Sequence, residues 1–217
     1  VLAEERNFRA AGLVKIPSHL SYAEAATLPC AALTAWRALV PVGRIRAGDT
    51  VLLLGTGGVS IFALQFATLM GARALITSSS DDKLARAREM GAWQTVNYRR
   101  TPDWEKAVLE LTGGRGVDLT VEVGGAGTLE KSIAATRIAG TIGFIGILAE
   151  GEVNPRPIMS KSLTVQGIYV GSRNLFQDMN RAIAAAELRP VIHQSFSFEE
   201  APDAYRAMKA AGHFGKL

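Results

Sequence analysis

Six short apolar runs, each separated from the next by a helix-sized stretch, constrain the fold of this chain more than any other feature of its sequence. They begin at Val51 (VLLLG), Ala74 (ALIT), Thr95 (TVNY), Asp118 (DLTVEV), Thr141 (TIGFIGI) and Leu163 (LTVQGIYV). Several are apolar almost throughout, so as strands they need cover on both faces rather than one. Strands that alternate with helical patterns build a parallel sheet wrapped by helices. Six strands and five crossovers predict a doubly wound α/β fold.

The intervening helices carry end signals. Thr101-Pro102 offers an N-cap and a first-turn proline, with Asp103 and Glu105 near the positive end of the helix. The helix from Thr128 to Ala139 has Gly140 as its stop. Ahead of the first strand, Ser21 and Glu24 form a capping box for a helix that Pro29 interrupts, and a second helix runs from about Cys30 to Val40. Beyond the sixth strand, helices are expected over Phe176 to Glu187 and, opened by a capping box at Ser197 to Glu200, on to about Lys209. These flanks read as parts of a partial second domain. The division predicted is 1–34 as its remnant and bridging helix, 35–170 as the doubly wound domain, and 171–217 as helices returning toward the second domain.

With 217 residues the chain suffices for one large domain and a smaller piece. No apolar run approaches a membrane span, and no secretory leader opens the sequence, so no membrane partner is expected. Cys30 is the single cysteine, which excludes an intrachain disulfide and suits a reducing cytoplasmic setting. The net charge of +4 is dispersed, with Arg99-Arg100 the only basic doublet, so no nucleic-acid partner is expected. A modest positive field would still favour a phosphate-bearing ligand.

The strongest local signal is Gly55-Thr56-Gly57-Gly58-Val59-Ser60, directly after the first strand and opening the helix IFALQFATLM. Gly55 permits the tight turn, Gly57 lets backbone approach a pyrophosphate, and the helix N-terminus supplies N–H groups for it. Ser60 stands where a third glycine is usual, and a small residue is tolerated there. An ordinary strand-to-helix turn would look similar in isolation; set in a six-strand alternation, the loop reads as the dinucleotide fingerprint of a Rossmann domain. No Gly-Lys-Ser/Thr follows, so it is not a Walker A cradle.

At the end of the second strand, an acid would bond the ribose 2′-hydroxyl of NAD and repel a 2′-phosphate. Here stand Thr77-Ser78-Ser79-Ser80, then Asp81-Asp82-Lys83. Hydroxyls and a lysine suit the phosphate of NADP, with NAD possible. The serines also suit a helix cap, with both aspartates favouring the N-terminal dipole. The two readings are compatible.

Leu28-Pro29-Cys30-Ala31-Ala32-Leu33-Thr34-Ala35-Trp36, the glycine loop, Val121-Glu122-Val123-Gly124-Gly125, Gly143-Phe144-Ile145-Gly146 and His213-Phe214-Gly215-Lys216 occur in one order. That ordered set resembles the medium-chain dehydrogenase/reductase superfamily, in its zinc-type alcohol dehydrogenase-like and quinone oxidoreductase-like branches. The resemblance implies Thr34 near the nicotinamide, Gly55, Gly57, Gly58 and Val59 at the pyrophosphate, Ser79 and Lys83 at the 2′-phosphate, and Tyr98 near the adenine. It sets Gly146-Ile147-Leu148 and Ile168-Tyr169-Val170 beside the nicotinamide. It also matches Cys30 to a catalytic-zinc ligand. His19, His193 and His213 are scattered without a spacing partner, so a small apolar core cysteine is the favoured reading and zinc is not expected.

Against the family pattern, the sequence begins near the end of the N-terminal catalytic domain and stops where relatives continue into a last strand, as a fragment would. The activity implied is an NADP(H)-dependent oxidoreductase moving a hydride between nicotinamide and a carbonyl, alcohol or activated alkene of a small-molecule substrate. The alternatives are a zinc-independent quinone or enone reductase and a non-catalytic dinucleotide-binding module. A methyltransferase fits less well, because Val51 to Leu54 lacks the acid expected before its loop. No general acid is assigned. The β-branched sixth run would pair with its two-fold mate to form a homodimer.

Overall fold

A computed structural model describes residues 3–147 and 149–217. Six strands form one all-parallel sheet: β1 (Thr50–Leu53), β2 (Arg73–Ser78), β3 (Gln94–Asn97), β4 (Val117–Glu122), β5 (Thr136–Phe144) and β6 (Thr164–Gly167), in the order β3-β2-β1-β4-β5-β6. Helices α3 (Gly58–Leu69), α4 (Asp81–Glu89), α5 (Trp104–Leu111) and α6 (Ala126–Ala135) make the first four crossovers. The short α7 (Arg156–Ser160) lies within the fifth. This is the doubly wound Rossmann order, with the chain reversing its direction of travel between β1 and β4.

The two-faced burial predicted for the strands is visible residue by residue. Val51 and Leu53 pack into one apolar cluster with Ile61, Phe62 and Phe66 of α3, while Leu52 and Leu54 enter a second with Trp104 and Val108 of α5. Successive side chains leave a strand on opposite sides, so β1 supplies both cores. The first cluster also takes in Leu28, Ala31, Ala32, Leu33, Ala35 and Trp36 and, from the far end of the chain, Met179, Ile183 and Phe214. Its aromatic centre sets Trp36 edge-on to Phe66 at 5.3 Å between ring centroids.

The N-terminal flank holds α1 (Tyr22–Ala26), capped by both halves of the predicted Ser21/Glu24 box. Thr27 ends it, and Pro29 falls in the first turn of a new helical run, as expected. That run is regular only in α2 (Leu33–Arg37), with wider π-type turns over Leu28–Ala32 and Ala38–Val42. After β6 come α8 (Arg173–Ala185), capped by Ser172, and α9 (Ala201–Ala210). Glu24 also receives Arg189 Nη1 at 2.9 and 3.0 Å, and His19 Nε2 lies 3.1 Å from the Leu188 carbonyl. These contacts tie the two flanks together.

Four predicted boundaries are corrected. Gly140 does not end a helix: α6 stops at Ala135 and the chain turns directly into β5. Thr136 Oγ1 bonds Thr120 Oγ1 at 2.8 Å and the Ser132 carbonyl at 2.7 Å, committing the chain to the sheet. Gly140 serves close packing instead, since a Cβ there would lie 2.6 Å from Thr136 Cγ2. Thr101 is not a cap either; α5 opens two residues after Pro102, behind Asp103. Of the Ser197/Glu200 box only one bond forms, Ser197 N–H to Glu200 Oε2 at 2.8 Å, and α9 opens a turn later. The sixth strand is also shorter than its apolar run, because the last bond to β5 is the Ile168 N–H to the Phe144 carbonyl and Val170 adopts φ 53°.

At the N-terminal end of the sheet, Asp118 ties three segments together. Its carboxylate accepts Thr50 N–H at 2.9 Å, Arg115 at 2.6 and 3.1 Å, and Arg137 Nε at 2.6 Å. Burial alone would raise its pKa, but Arg115, the Thr50 N–H and Arg137 outweigh that and hold it well below the usual carboxylate range. A depressed carboxyl contributes its full stability above about pH 4 and loses it as pH falls further. Asp118→Asn should therefore cost about 2 kcal/mol at pH 7 and progressively less toward pH 2. Urea unfolding at both pH values measures this, and an equal cost at both would refute it.

Candidate functional site

The carboxyl ends of β1 and β4 open a crevice where the strand order reverses, the place where such sheets bind ligands. Leu54 leads into Gly55, whose φ of +71° favours glycine. The Gly55 N–H donates to Thr77 Oγ1 at 3.2 Å, tying the loop to β2. Ser60, in the third glycine position, is buried and donates its hydroxyl to the Leu54 carbonyl at 2.6 Å. The departure from glycine thus locks the loop rather than loosening it.

Gly57 precedes α3, and no side chain caps that helix. Its first N–H groups and its dipole therefore face the crevice without a competing side-chain acceptor. A Cβ added to Gly57 would meet no atom within 4 Å, so this backbone borders open space. Gly58 differs, because a Cβ there would lie 2.6 Å from Lys216 Cδ and 3.2 Å from Ala31 Cβ.

That contact reveals a neighbour of the loop to which sequence reasoning assigned no role. The Gly215 N–H donates to the Thr56 carbonyl at 3.0 Å, and Lys216 donates its N–H to the Val191 carbonyl at 3.0 Å and accepts the His193 N–H at 2.7 Å. Phe214 is buried beneath the Arg86 guanidinium of α4 at 4.3 Å from its ring centroid. The last residues therefore form a strip along the glycine loop and lay the Lys216 stem over Gly58. Burial holds His213 below the ordinary imidazole range, and Lys83, His193 and Lys216 push it the same way, marking a basic corner beside the loop.

Two hollows make up the crevice. One, about 470 Å³, is lined by Gly55, Gly57, Gly58, Val59, Gly146 and Ile147 among others. The second, about 350 Å³, lies between Gly55, Thr77, Tyr98, Trp104, Gly124 and Thr128. They share Leu54, Gly55 and Val123, so they form one trough across the strand ends. A larger open groove of about 810 Å³ between Leu13–Pro17 and α8 shares no residue with it.

The structure thus brings Gly55, Gly57, Gly58, Val59, Tyr98, Gly146 and Ile147 to one trough. Thr34, Ser79, Lys83, Ile168 and Val170 lie outside its walls. Thr34 is buried in α2, and Ser79 follows β2 directly. Lys83 is in the first turn of α4, its amine 3.4 Å from the Ala211 carbonyl. Ser80 caps α4 by accepting the Lys83 N–H, so the capping reading of the serines holds. Leu148 lies outside the described residues. Cys30 is exposed, which corrects its reading as a core residue: in the first turn after Pro29 it points away from the cluster that buries Leu28 and Ala31. Among the described residues no three His, Cys, Asp or Glu side chains gather as a metal site requires.

Glu122 is a second residue that sequence reasoning left without a role. It is fully buried at the end of β4. Its Oε1 accepts the N–H groups of Gly124 and Gly125 at 2.7 and 3.1 Å and the Thr128 hydroxyl at 2.7 Å, while Oε2 accepts the Ser132 hydroxyl. It thereby shapes the Val123–Gly125 turn that walls the trough. The signal available was a lone carboxylate ending an apolar strand. Glu122→Ala would leave four donors without this acceptor and should cost about 2–4 kcal/mol. Glu122→Gln, which keeps the acceptor facing Gly124, should cost less than half as much. Thermal unfolding of the two variants tests this, and equal losses would mean that the negative charge both variants remove, rather than an acceptor at this position, holds the turn.

Comparison with known proteins agrees with this geometry. Residues 58–185 match the family model described as zinc-binding dehydrogenase. A zinc-type alcohol dehydrogenase-like protein of Schizosaccharomyces pombe is 42% identical over 94% of this chain and 62% of its own length, so the chain spans less than two thirds of that relative. Among solved structures, an NAD-dependent alcohol dehydrogenase superposes with a TM-score of 0.89 at 36% identity, covering 96% of this chain and 61% of the other. The quinone oxidoreductase of Thermus thermophilus, also solved with NADPH, gives 0.84 at 33% identity, covering 99% and 71%. The family match takes in more than half of the chain, from the helix that follows the glycine loop through strands β2 to β6. The chain belongs to the zinc-binding dehydrogenase family.

Proposed function

We propose that this chain is the cofactor-binding part of an NADP(H)-dependent, alcohol dehydrogenase-like oxidoreductase acting on a carbonyl, alcohol or activated alkene. The observation that carries the reading is the trough itself, with an uncapped helix N-terminus on one wall and a basic corner beside it. In this reading the Gly57, Gly58 and Val59 backbone takes the pyrophosphate, helped by the Lys216 ammonium. Tyr98 lies on the adenine side, and Thr34, Gly146, Ile147, Ile168 and Val170 surround the nicotinamide. Ser79 and Lys83 receive the 2′-phosphate, at a strand end where Ser78 and Ser79 stand in place of an acid. When bound, the nicotinamide supplies the hydride chemistry, and the chain supplies binding and orientation.

The name of the family raises zinc, which as a catalytic ion takes three protein ligands and leaves a fourth position open. The described residues do not by themselves fit that requirement, since no ligand trio forms among them.

Fluorescence titration with NADPH and NADH tests the cofactor reading. The starting chain should prefer NADPH, Lys83→Ala should lose about tenfold in NADPH affinity with little change for NADH, and Gly57→Asp should bind neither. Gly57 has φ −78°, so the aspartate should leave the fold intact while projecting its charge into the trough. Normal binding by Gly57→Asp would refute the dinucleotide site, and a Lys83→Ala loss shared by both cofactors would refute the assignment to NADP.

A homodimer through β6 belongs to the same proposal. β6 is an edge strand with all four residues exposed. The Ile168 N–H donates inward to the Phe144 carbonyl, so by alternation Val165 turns its N–H outward. Val165→Pro removes that donor while sparing the bonds to β5. Light scattering should show a dimer for the starting chain and a monomer for the variant; a starting chain that is monomeric at micromolar concentration would exclude this interface.

A further inference from the structure

A carboxylate stands where the NADP reading would least tolerate one. Asp81 opens α4 two residues beyond Ser79, and a free negative charge there would repel a 2′-phosphate held by Ser79 and Lys83. In the structure both of its oxygens are engaged. Asn97 Nδ2 donates to Oδ1 at 2.8 Å, and the Arg100 guanidinium pairs with Oδ2.

The partners are positioned by the sheet. Asn97, the last residue of β3, stands in register with Ser78, the last of β2, and the Tyr98 N–H donates to the Ser78 carbonyl at 3.1 Å. The Arg99 N–H donates to Asn97 Oδ1 at 3.0 Å, which fixes the amide with its NH₂ toward Asp81. Arg100 and Thr101 both donate their N–H groups to the Asn97 carbonyl, closing the turn that delivers the guanidinium. Asp81 is thus held from across the β2–β3 edge, beside Tyr98 of the trough. Both side chains are largely solvent-exposed, so the pair adds little to stability. Its consequence is electrostatic and local.

We propose that Arg100, aided by Asn97, is a positioning residue for cofactor specificity. It neutralises Asp81 and holds it away from the 2′-phosphate, which allows a helix with two acids in its first turn to accept NADPH. This rests on the reading that Ser79 and Lys83 receive that phosphate.

The test is titration of NADPH and NADH into the full chain and its Arg100→Gln, Asp81→Asn, Asp82→Asn, Arg100→Gln/Asp81→Asn and Arg100→Gln/Asp82→Asn variants, with melting temperatures as the fold control. Arg100→Gln should weaken NADPH about fivefold at low salt, with NADH nearly unchanged, and the loss should shrink at high ionic strength. Adding Asp81→Asn should restore NADPH affinity, because the charge that needed neutralising is gone; combining Arg100→Gln with Asp82→Asn should not. Failure of Asp81→Asn to restore binding would overturn the proposal, showing that Arg100 meets the phosphate itself. A loss shared equally by NADH would also overturn it, since a merely disordered Tyr98 turn harms both cofactors. If the starting chain shows no NADPH preference and Lys83→Ala no selective loss, the 2′-phosphate reading fails first. If those hold and Arg100→Gln is silent, only the role of Arg100 fails.

Discussion

Burial of β1 on both faces is the constraint from which the rest of the structure follows. Thr50, Val51, Leu52 and Leu53 are each almost wholly inaccessible, and alternate side chains enter separate clusters. A strand buried in this way must be central, with helices on either side and parallel neighbours. Its neighbours are β2, reached through α3, and β4, reached only after two further crossovers. The end of β1 is therefore where the sheet splits, and the glycine loop is placed there by packing rather than by any ligand.

β4 carries the polar counterpart of that arrangement. Asp118 and Glu122 lie at opposite ends of one strand and solve the cost of a buried carboxylate differently. Asp118 is near the base of the sheet, where Arg115 and Arg137 can reach it from the surface. Glu122 sits where no cation reaches among the described residues, and backbone N–H groups and hydroxyls from the start of α6 satisfy it instead. A carboxylate accepting several donors is tolerated inside a protein, whereas one left unpaired is not. The first arrangement fastens strands together, and the second shapes the wall of the trough.

The termini of the chain close on the same centre. Leu28, Leu33, Trp36 and the distant Phe214 share one core, and Gly215-Lys216 runs along the glycine loop. The loop is consequently supported from behind by residues more than 150 positions away. Its conformation belongs to the tertiary structure and not to the hexapeptide alone.

Much of this was legible before any coordinates. The doubly wound order, the glycine turn and the Ser21/Glu24 box follow from short-range rules, because apolar periodicity, positive φ and capping act within a few residues. Most strand ends were right within a residue or two for the same reason. What only the tertiary structure decided depends on residues remote in sequence. Gly140 resembled a helix stop, but competition from Thr120 across the sheet had already drawn the chain out at Thr136. Cys30 looked like core by residue type, yet the direction in which α2 and its preceding turns face the sheet left it exposed. Lys216 beside Gly58 and Arg100 against Asp81 could not be read at all. Spacing along a chain encodes which face a residue takes, but which two charges meet across a sheet edge is set only when the strands pair.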